Sequence, residues 1–395
     1  MTFFEYKENI MTTSATIPSA TGTNPVKGLL DYGQSPWMDY IRRDLLTGGG
    51  LKKLIENDGL RGQTSNPSIF EKAITGSQLY SDILNSPEAK SLNDKGLYEK
   101  IAIRDVQDAC DIFKQVYVST KKRDGYVSLE VSPFLAKDTK GTLEEARRLW
   151  KAVGRENLMV KVPATPEGIP AIRQLLEDGI NINITLLFAQ SEYEKVAEAY
   201  IAALEARAAK GLEIAHIASV ASFFVSRIDT LVDAKIDEML KTTSGEPKTL
   251  LESLLGKIAI ANAKLTYKKY QELFSGPRWK ALADKGAQTQ RLLWASTSTK
   301  NPKYRDVMYV EELIGQDTVD TIPPATFDAF RDHGRLRNSL TEDVPGAAST
   351  MSNLQKAGIS MKEVTDKCLA DGVKLFADAF TQLLAATAKS AGVRE

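Results

Sequence analysis

The chain has 395 residues, 51 basic and 51 acidic side chains, two His and two Cys. Zero formal charge argues against a protein built mainly to coat nucleic acid or an anionic membrane, although it leaves room for a small basic pocket. Cys110 and Cys368 make no disulfide framework, and His216 and His333 are too few for a His-rich metal site. Any chemistry is therefore expected from Lys, Asp, Glu and hydroxyl groups. No stretch of about 18 apolar residues is present, so no membrane span is expected. The first ten residues lack the basic and apolar regions of a secretory signal, and the cytoplasm is the default location. Residues 11–26 are small, hydroxylated and Pro-containing, so 1–26 is expected to be a flexible tail. Residues 27–395 are expected to be a single domain.

In chain order, short β-rich runs alternate with amphipathic helical patterns. A strand is expected near Trp37–Ile41, and others at Gly59–Asn66, Tyr126–Ser132, Leu158–Thr165, Ile182–Phe188, Ile217–Phe224, Arg291–Ser296 and Asp317–Pro323. Between them, Glu99–Tyr117 carries Ile101, Val106, Ala109, Phe113 and Val116 on one stripe. Thr142 with Glu145, and Ser191 with Glu194, have capping-box spacing ahead of helices over Arg147–Ala152 and Lys195–Ala209. Further helices are expected over Arg227–Leu240 and Leu250–Phe274, with a loop at Thr243–Lys248. The pattern from Met361 onward reads as one or two closing helices. Strand–helix alternation at this pitch means a parallel sheet, and seven or eight strands suffice for a closed (β/α)8 TIM-type barrel with additional helices. No Gly-x-Gly-x-x-Gly turn follows a strand, which disfavours an open nucleotide-binding sheet.

Polar residues interrupt these strands. In YVSLEVS, alternation sets Val127, Leu129 and Val131 against Ser128, Glu130 and Ser132, and in a barrel the second set points inward. INITLLF likewise separates Ile182, Ile184 and Leu186 from Asn183 and Thr185. Lys161 sits between Val160 and Val162 in mid-strand. Lysine is rarely buried without a partner, and two readings are open: a lysine snorkelling to solvent or paired with a core carboxylate, or a Schiff-base nucleophile. Glu130 lies one β/α unit earlier and Thr185 one unit later, so the three can converge. Glu130 alone reads equally as a buried ion-pair partner, Asn66 as a turn residue ahead of Pro67, and Ser222 as a small packing residue. Arg227 opens a helical pattern, where a guanidinium suits a phosphate beside a helix N-terminus. The STSTKN loop offers hydroxyls and Lys300, either as phosphate ligands or as solvated surface.

The segments DGLRGQTSNPSIF, SLEVSP, LMVKVPATPEGIPAI, GININITLLF and ASFFVSRID resemble the successive strand motifs of transaldolases. WMDYIRRDLL and WASTSTKNP resemble the longer bacterial branch, and the likeness spans Pro36 to Pro324. The resemblance implies transfer of a dihydroxyacetone unit from sedoheptulose 7-phosphate to glyceraldehyde 3-phosphate through a lysine imine, without metal or organic cofactor. It implies Lys161 as the imine-forming residue, Glu130 and Thr185 as the pair handling a catalytic water, and Asp39 as the acid/base at the breaking C–C bond. It further implies Asn66, Asn183 and Ser222 as ligands of the donor hydroxyls and Arg227 as the phosphate ligand, with Lys300 in place of the family's second phosphate arginine. Sugar phosphates are the expected partners, with neither nucleic acid nor membrane, and the protein is expected as a monomer or homodimer. Competing readings are a Schiff-base aldolase of the fructose-6-phosphate type, which releases free dihydroxyacetone, and a non-catalytic sugar-phosphate-binding barrel.

Overall fold

A computed structural model describes residues 24–75 and 77–391. Its centre is a closed parallel barrel of eight strands in sequential order. These are β1 (Gln34–Asp39), β2 (Gly62–Thr64), β3 (Tyr126–Glu130), β4 (Leu158–Pro163), β5 (Ile182–Leu187), β6 (Ser219–Phe224), β7 (Arg291–Ala295) and β8 (Thr318–Ile322). β8 pairs with β1 and completes the ring. Parallel neighbours need a crossover of at least a dozen residues, which the intervening helices supply. Burial on both faces explains the apolar runs; Val127, Leu158, Val160, Val162, Ile182 and Ile184 are all fully buried.

The seven strands expected from Gly59–Asn66 to Asp317–Pro323 all fall on observed ones. The expected Trp37–Ile41 strand begins three residues earlier, at Gln34. Pro36 obscured that start, because proline cannot donate to a ladder and argues against a strand interior. β2 is only three residues long, since Gly59 ends the preceding helix in the left-handed region and Asn66 begins the next by accepting from the Ile69 N–H at 3.1 Å.

Both capping boxes are displaced. The helix containing Thr142 starts at Thr139, and its cap is Asp138, accepting from the Gly141 N–H at 2.9 Å. Glu145 instead binds the Ser132 N–H and Lys95. The helix containing Ser191 begins at Gln190 without a side-chain cap. Leu250–Phe274 is two helices, Gly245–Leu254 and Ile258–Leu273, broken where Gly256 adopts φ +68°. The first of these occupies most of the expected loop at 243–248. The closing segment is one 30-residue helix, Met361–Ser390. Of the expected tail, residues 1–23 lie outside the described residues, whereas Val26 is fully buried in a short helix, Pro25–Gly28. No helix among the described residues is long and apolar enough to cross a membrane.

The lower end of the barrel is filled. Trp37 occupies the space left by Gly62, where a Cβ would lie 2.5 Å from the indole. Arg291 pairs with Asp124 at 2.8 Å and donates to Ser35 Oγ at 2.8 Å, while Trp37 Nε1 donates to Asp124 at 3.2 Å. The open end lies at the C-terminal edges of the strands, where barrel loops converge.

Candidate active site

Strand register assembles the site. Glu130 of β3 is level with Lys161 of β4, and Lys161 with Asn183 of β5. Side chains level on adjacent parallel strands share a face, so three polar residues that the sequence spreads over 53 positions become lateral neighbours inside the barrel. Asp39 is level with Thr64, whose hydroxyl donates to its carboxylate at 2.7 Å. A register shift between Ile184 and Leu187, with Leu186 at φ +60°, marks an irregularity beside Thr185. Such bulges re-aim side chains next to active sites.

The result is a cavity of about 150 Å³ lined by Asp39, Asn66, Lys161, Thr185, Ser222 and Arg227, with Lys300 on its wall. Lys161 is 5% exposed. Its Nζ donates to the Ser65 carbonyl at 3.1 Å and stands 3.5 Å from Glu130 Oε2. That ion pair is too long for a strong hydrogen bond, and desolvation pushes Glu130 up to about 7, with Lys161 opposing. Desolvation also raises Asp39, against the pull of Lys161 and the Thr64 hydroxyl. Asn66 Nδ2 donates to Asp39 Oδ2 at 3.4 Å. The Thr185 hydroxyl is buried and bonds to nothing among the described residues. Asn183 lies fully buried beneath, donating to Ser128 Oγ at 2.9 Å and accepting from Ser222 Oγ at 2.6 Å.

Arg227 stands in the first turn of the helix Ser226–Leu240, which has no side-chain cap. No carboxylate lies within ion-pairing distance of it among the described residues, and its buried Nη1 has no partner there. Burial lowers its basicity. An uncapped helix start and a free guanidinium are a ready anion site. Ser226 and Ser296 hydroxyls, 2.9 Å apart, tie this turn to the loop after β7. Lys300, at the exposed end of that loop, donates to Ser298 Oγ at 2.7 Å.

All nine residues singled out from sequence are therefore in or directly beneath one cavity. The STSTKN loop contributes Ser296 and Ser298 as well as Lys300, whereas sequence reasoning missed Thr64, Thr321, Phe224 and Phe376 in the wall. Phe224 was legible in principle, being two residues after Ser222 and so on the same strand face. Sequence reasoning also passed over Asp320, buried on β8, which accepts from Thr297 Oγ1 at 2.9 Å and is pushed up to about 8 by desolvation. That bond anchors the base of the loop carrying Ser298 and Lys300.

A buried lysine beside a carboxyl, under a free guanidinium in a barrel mouth, defines a site for covalent amine chemistry on an anionic carbonyl compound. Residues 36–387 match the family model described as transaldolase/fructose-6-phosphate aldolase, and the chain belongs to that family. It is 49% identical over 365 residues to a protein named transaldolase from Trichodesmium erythraeum, covering 92% of this chain and 96% of that one. It is 46% identical to transaldolase 2 of Nostoc sp., covering 91% and 96%, and 44% identical to a transaldolase of Thiobacillus denitrificans, covering 92% and 99%.

Proposed function

We propose that the protein is a transaldolase of the pentose phosphate pathway, moving a dihydroxyacetone unit between sugar phosphates through an imine on Lys161. The observation that carries this reading is the placement of Lys161 within 3.5 Å of Glu130, in a cavity that also holds Arg227, whose guanidinium is unpaired among the described residues. Lys161 attacks the C2 carbonyl of the ketose phosphate, and water leaves from the carbinolamine. Glu130, poised near neutrality, and the free Thr185 hydroxyl exchange protons with that water. Asp39 takes the proton of the C4 hydroxyl as the C3–C4 bond breaks, and the protonated imine accepts the electron pair to become an enamine. The aldose phosphate departs. The enamine then adds to the acceptor aldehyde, Asp39 returns the proton, and hydrolysis frees the ketose product.

Asn66, Asn183 and Ser222 hold the donor hydroxyls, and Arg227 with Lys300 holds the phosphate, which fixes the chain relative to the imine. No step calls for a metal or organic cofactor. We further propose that residues 27–395 work as one catalytic domain, located in the cytoplasm.

Borohydride added with fructose 6-phosphate is expected to leave a stable adduct on Lys161, found by peptide mapping, and Lys161→Met is expected to abolish it. An adduct on a different lysine, or none, overturns the assignment. The family also contains aldolases; free dihydroxyacetone released at the same rate with and without an acceptor aldose would favour that activity instead.

A further inference from the structure

The helix Met361–Ser390 crosses the barrel mouth with a stripe at four-residue spacing, Cys368, Gly372, Phe376 and Phe380. Each member meets the site or its rim. Cys368 Sγ lies 3.9 Å from the Arg227 carbonyl oxygen. A Cβ on Gly372 would stand 3.4 Å from Arg227 Nη1 and 3.0 Å from Leu186, so glycine permits this approach. Phe380 packs edge-on against Tyr98 and Phe134, both at 5.5 Å, and fixes the next turn. Between them the Phe376 ring lies 5.8 Å from the Arg227 guanidinium and 5.6 Å from Lys161 Nζ. The Phe224 ring takes another position around the same guanidinium, at 5.2 Å.

Resting on the function proposed above, we infer that Phe376 is a positioning residue, which holds Arg227 ready for the donor phosphate and thereby sets the preference for phosphorylated donors. A carboxylate would also hold a guanidinium in place, but it would occupy the N–H donors and repel the incoming phosphate. An aromatic face attracts the cation through its quadrupole and leaves the N–H groups free. The buried, unpartnered Nη1 is the mark of that arrangement. Phe224 is fixed on β6, so the contact from Phe376 is what the long helix adds. The same ring limits water above Lys161, where an enamine must outlast the exchange of aldehydes.

The test is a donor comparison on full-length variants. Phe376→Leu is expected to raise KM for fructose 6-phosphate about five- to tenfold, between the size of an exposed and of a fully desolvated cation–π contact. It should leave KM for unphosphorylated fructose within twofold, and Phe376→Tyr, which keeps the ring face, should stay within twofold on both. Phe376→Met serves the same comparison if the leucine variant does not fold. Inorganic phosphate binding, measured by calorimetry, reads the Arg227 site without turnover and should weaken in parallel. Equal KM changes on both donors, no change, or a tyrosine variant as impaired as leucine overturns the inference. Borohydride trapping on the wild-type chain reports separately on the imine, so a failure there is distinct from a failure of Phe376.

Discussion

Arg227 and Arg291 stand at opposite ends of the barrel and differ in how their charge is met. Arg291 is fully engaged, by Asp124, Ser35 Oγ and the Arg123 carbonyl. Arg227 is partnered by ring faces and a free edge. A buried cation with no counter-ion is costly, and a chain retains one where a ligand supplies the missing charge. Glu130 carries the matching tension on the acid side. Its folded carboxyl sits at about 7, above the 4.5 of an exposed glutamate, because burial outweighs the attraction of Lys161. Between those values the folded chain holds a proton that the unfolded chain releases. This group's contribution to stability is therefore complete below about pH 4.5 and is lost as pH rises through 7. Glu130→Gln is expected to recover about 1–3 kcal/mol at pH 8 relative to pH 5, read from denaturant midpoints. The same variant should slow imine formation at least a hundredfold and remove an inflection near pH 7 from its rate profile. A wild-type profile flat across pH 6–8 would contradict this assignment.

Among the elements, the Met361–Ser390 helix is helical as its sequence signal says, but its contact with the site is not in that signal. Its apolar spacing reads as packing and nothing more, because one aromatic over two cations has the same pattern as one aromatic over a core. Gly372 was equally silent. Gly372→Ala weighs two effects against each other: a gain of about 1 kcal/mol in helix propensity and a Cβ pressed toward Leu186 and Arg227 Nη1. The expected outcome is a melting temperature within a few degrees of wild type and a several-fold higher KM for fructose 6-phosphate. A large loss of stability with unchanged KM would place the strain on Leu186 instead.

Strands were more legible than helix starts for a physical reason. Two-sided burial imposes long apolar runs with single polar interruptions, and those interruptions, Lys161, Glu130, Asn183 and Thr185, are the site. Helix caps are set by one local geometry among several possible ones. Asp138 outcompeted Thr142, and Glu145 was taken by the Ser132 N–H. The bulge at Leu186 and the ring of Phe376 depend on contacts between residues far apart, which no local pattern contains.

Across the whole molecule, the two barrel ends divide the work. The lower end is closed by the Arg291–Asp124 pair, 4% and 8% exposed, and by Trp37. The upper end keeps its donors unspent. Asp124→Ala leaves the Arg291 charge buried and uncompensated and is expected to cost about 3–5 kcal/mol, measured by chemical denaturation. Borohydride trapping on Lys161 should persist in whatever fraction stays folded. Loss of trapping at full native content would mean that the two ends are coupled.

The residues around the cavity run from Asp39 to Phe376, and this span has a kinetic meaning. Lys161 and Glu130 come together through adjacent strands, a comparatively local closure. The Phe376 contact joins positions more than two hundred residues from Lys161, and such distant closures are slow to form. During refolding strands β3 to β5 can bring Lys161 and Glu130 together before the β1–β8 seam has closed and the roof has docked. A carbonyl compound entering at that stage would meet a reactive lysine without the phosphate clamp, so selectivity for phosphorylated donors is expected to be the last property the chain regains.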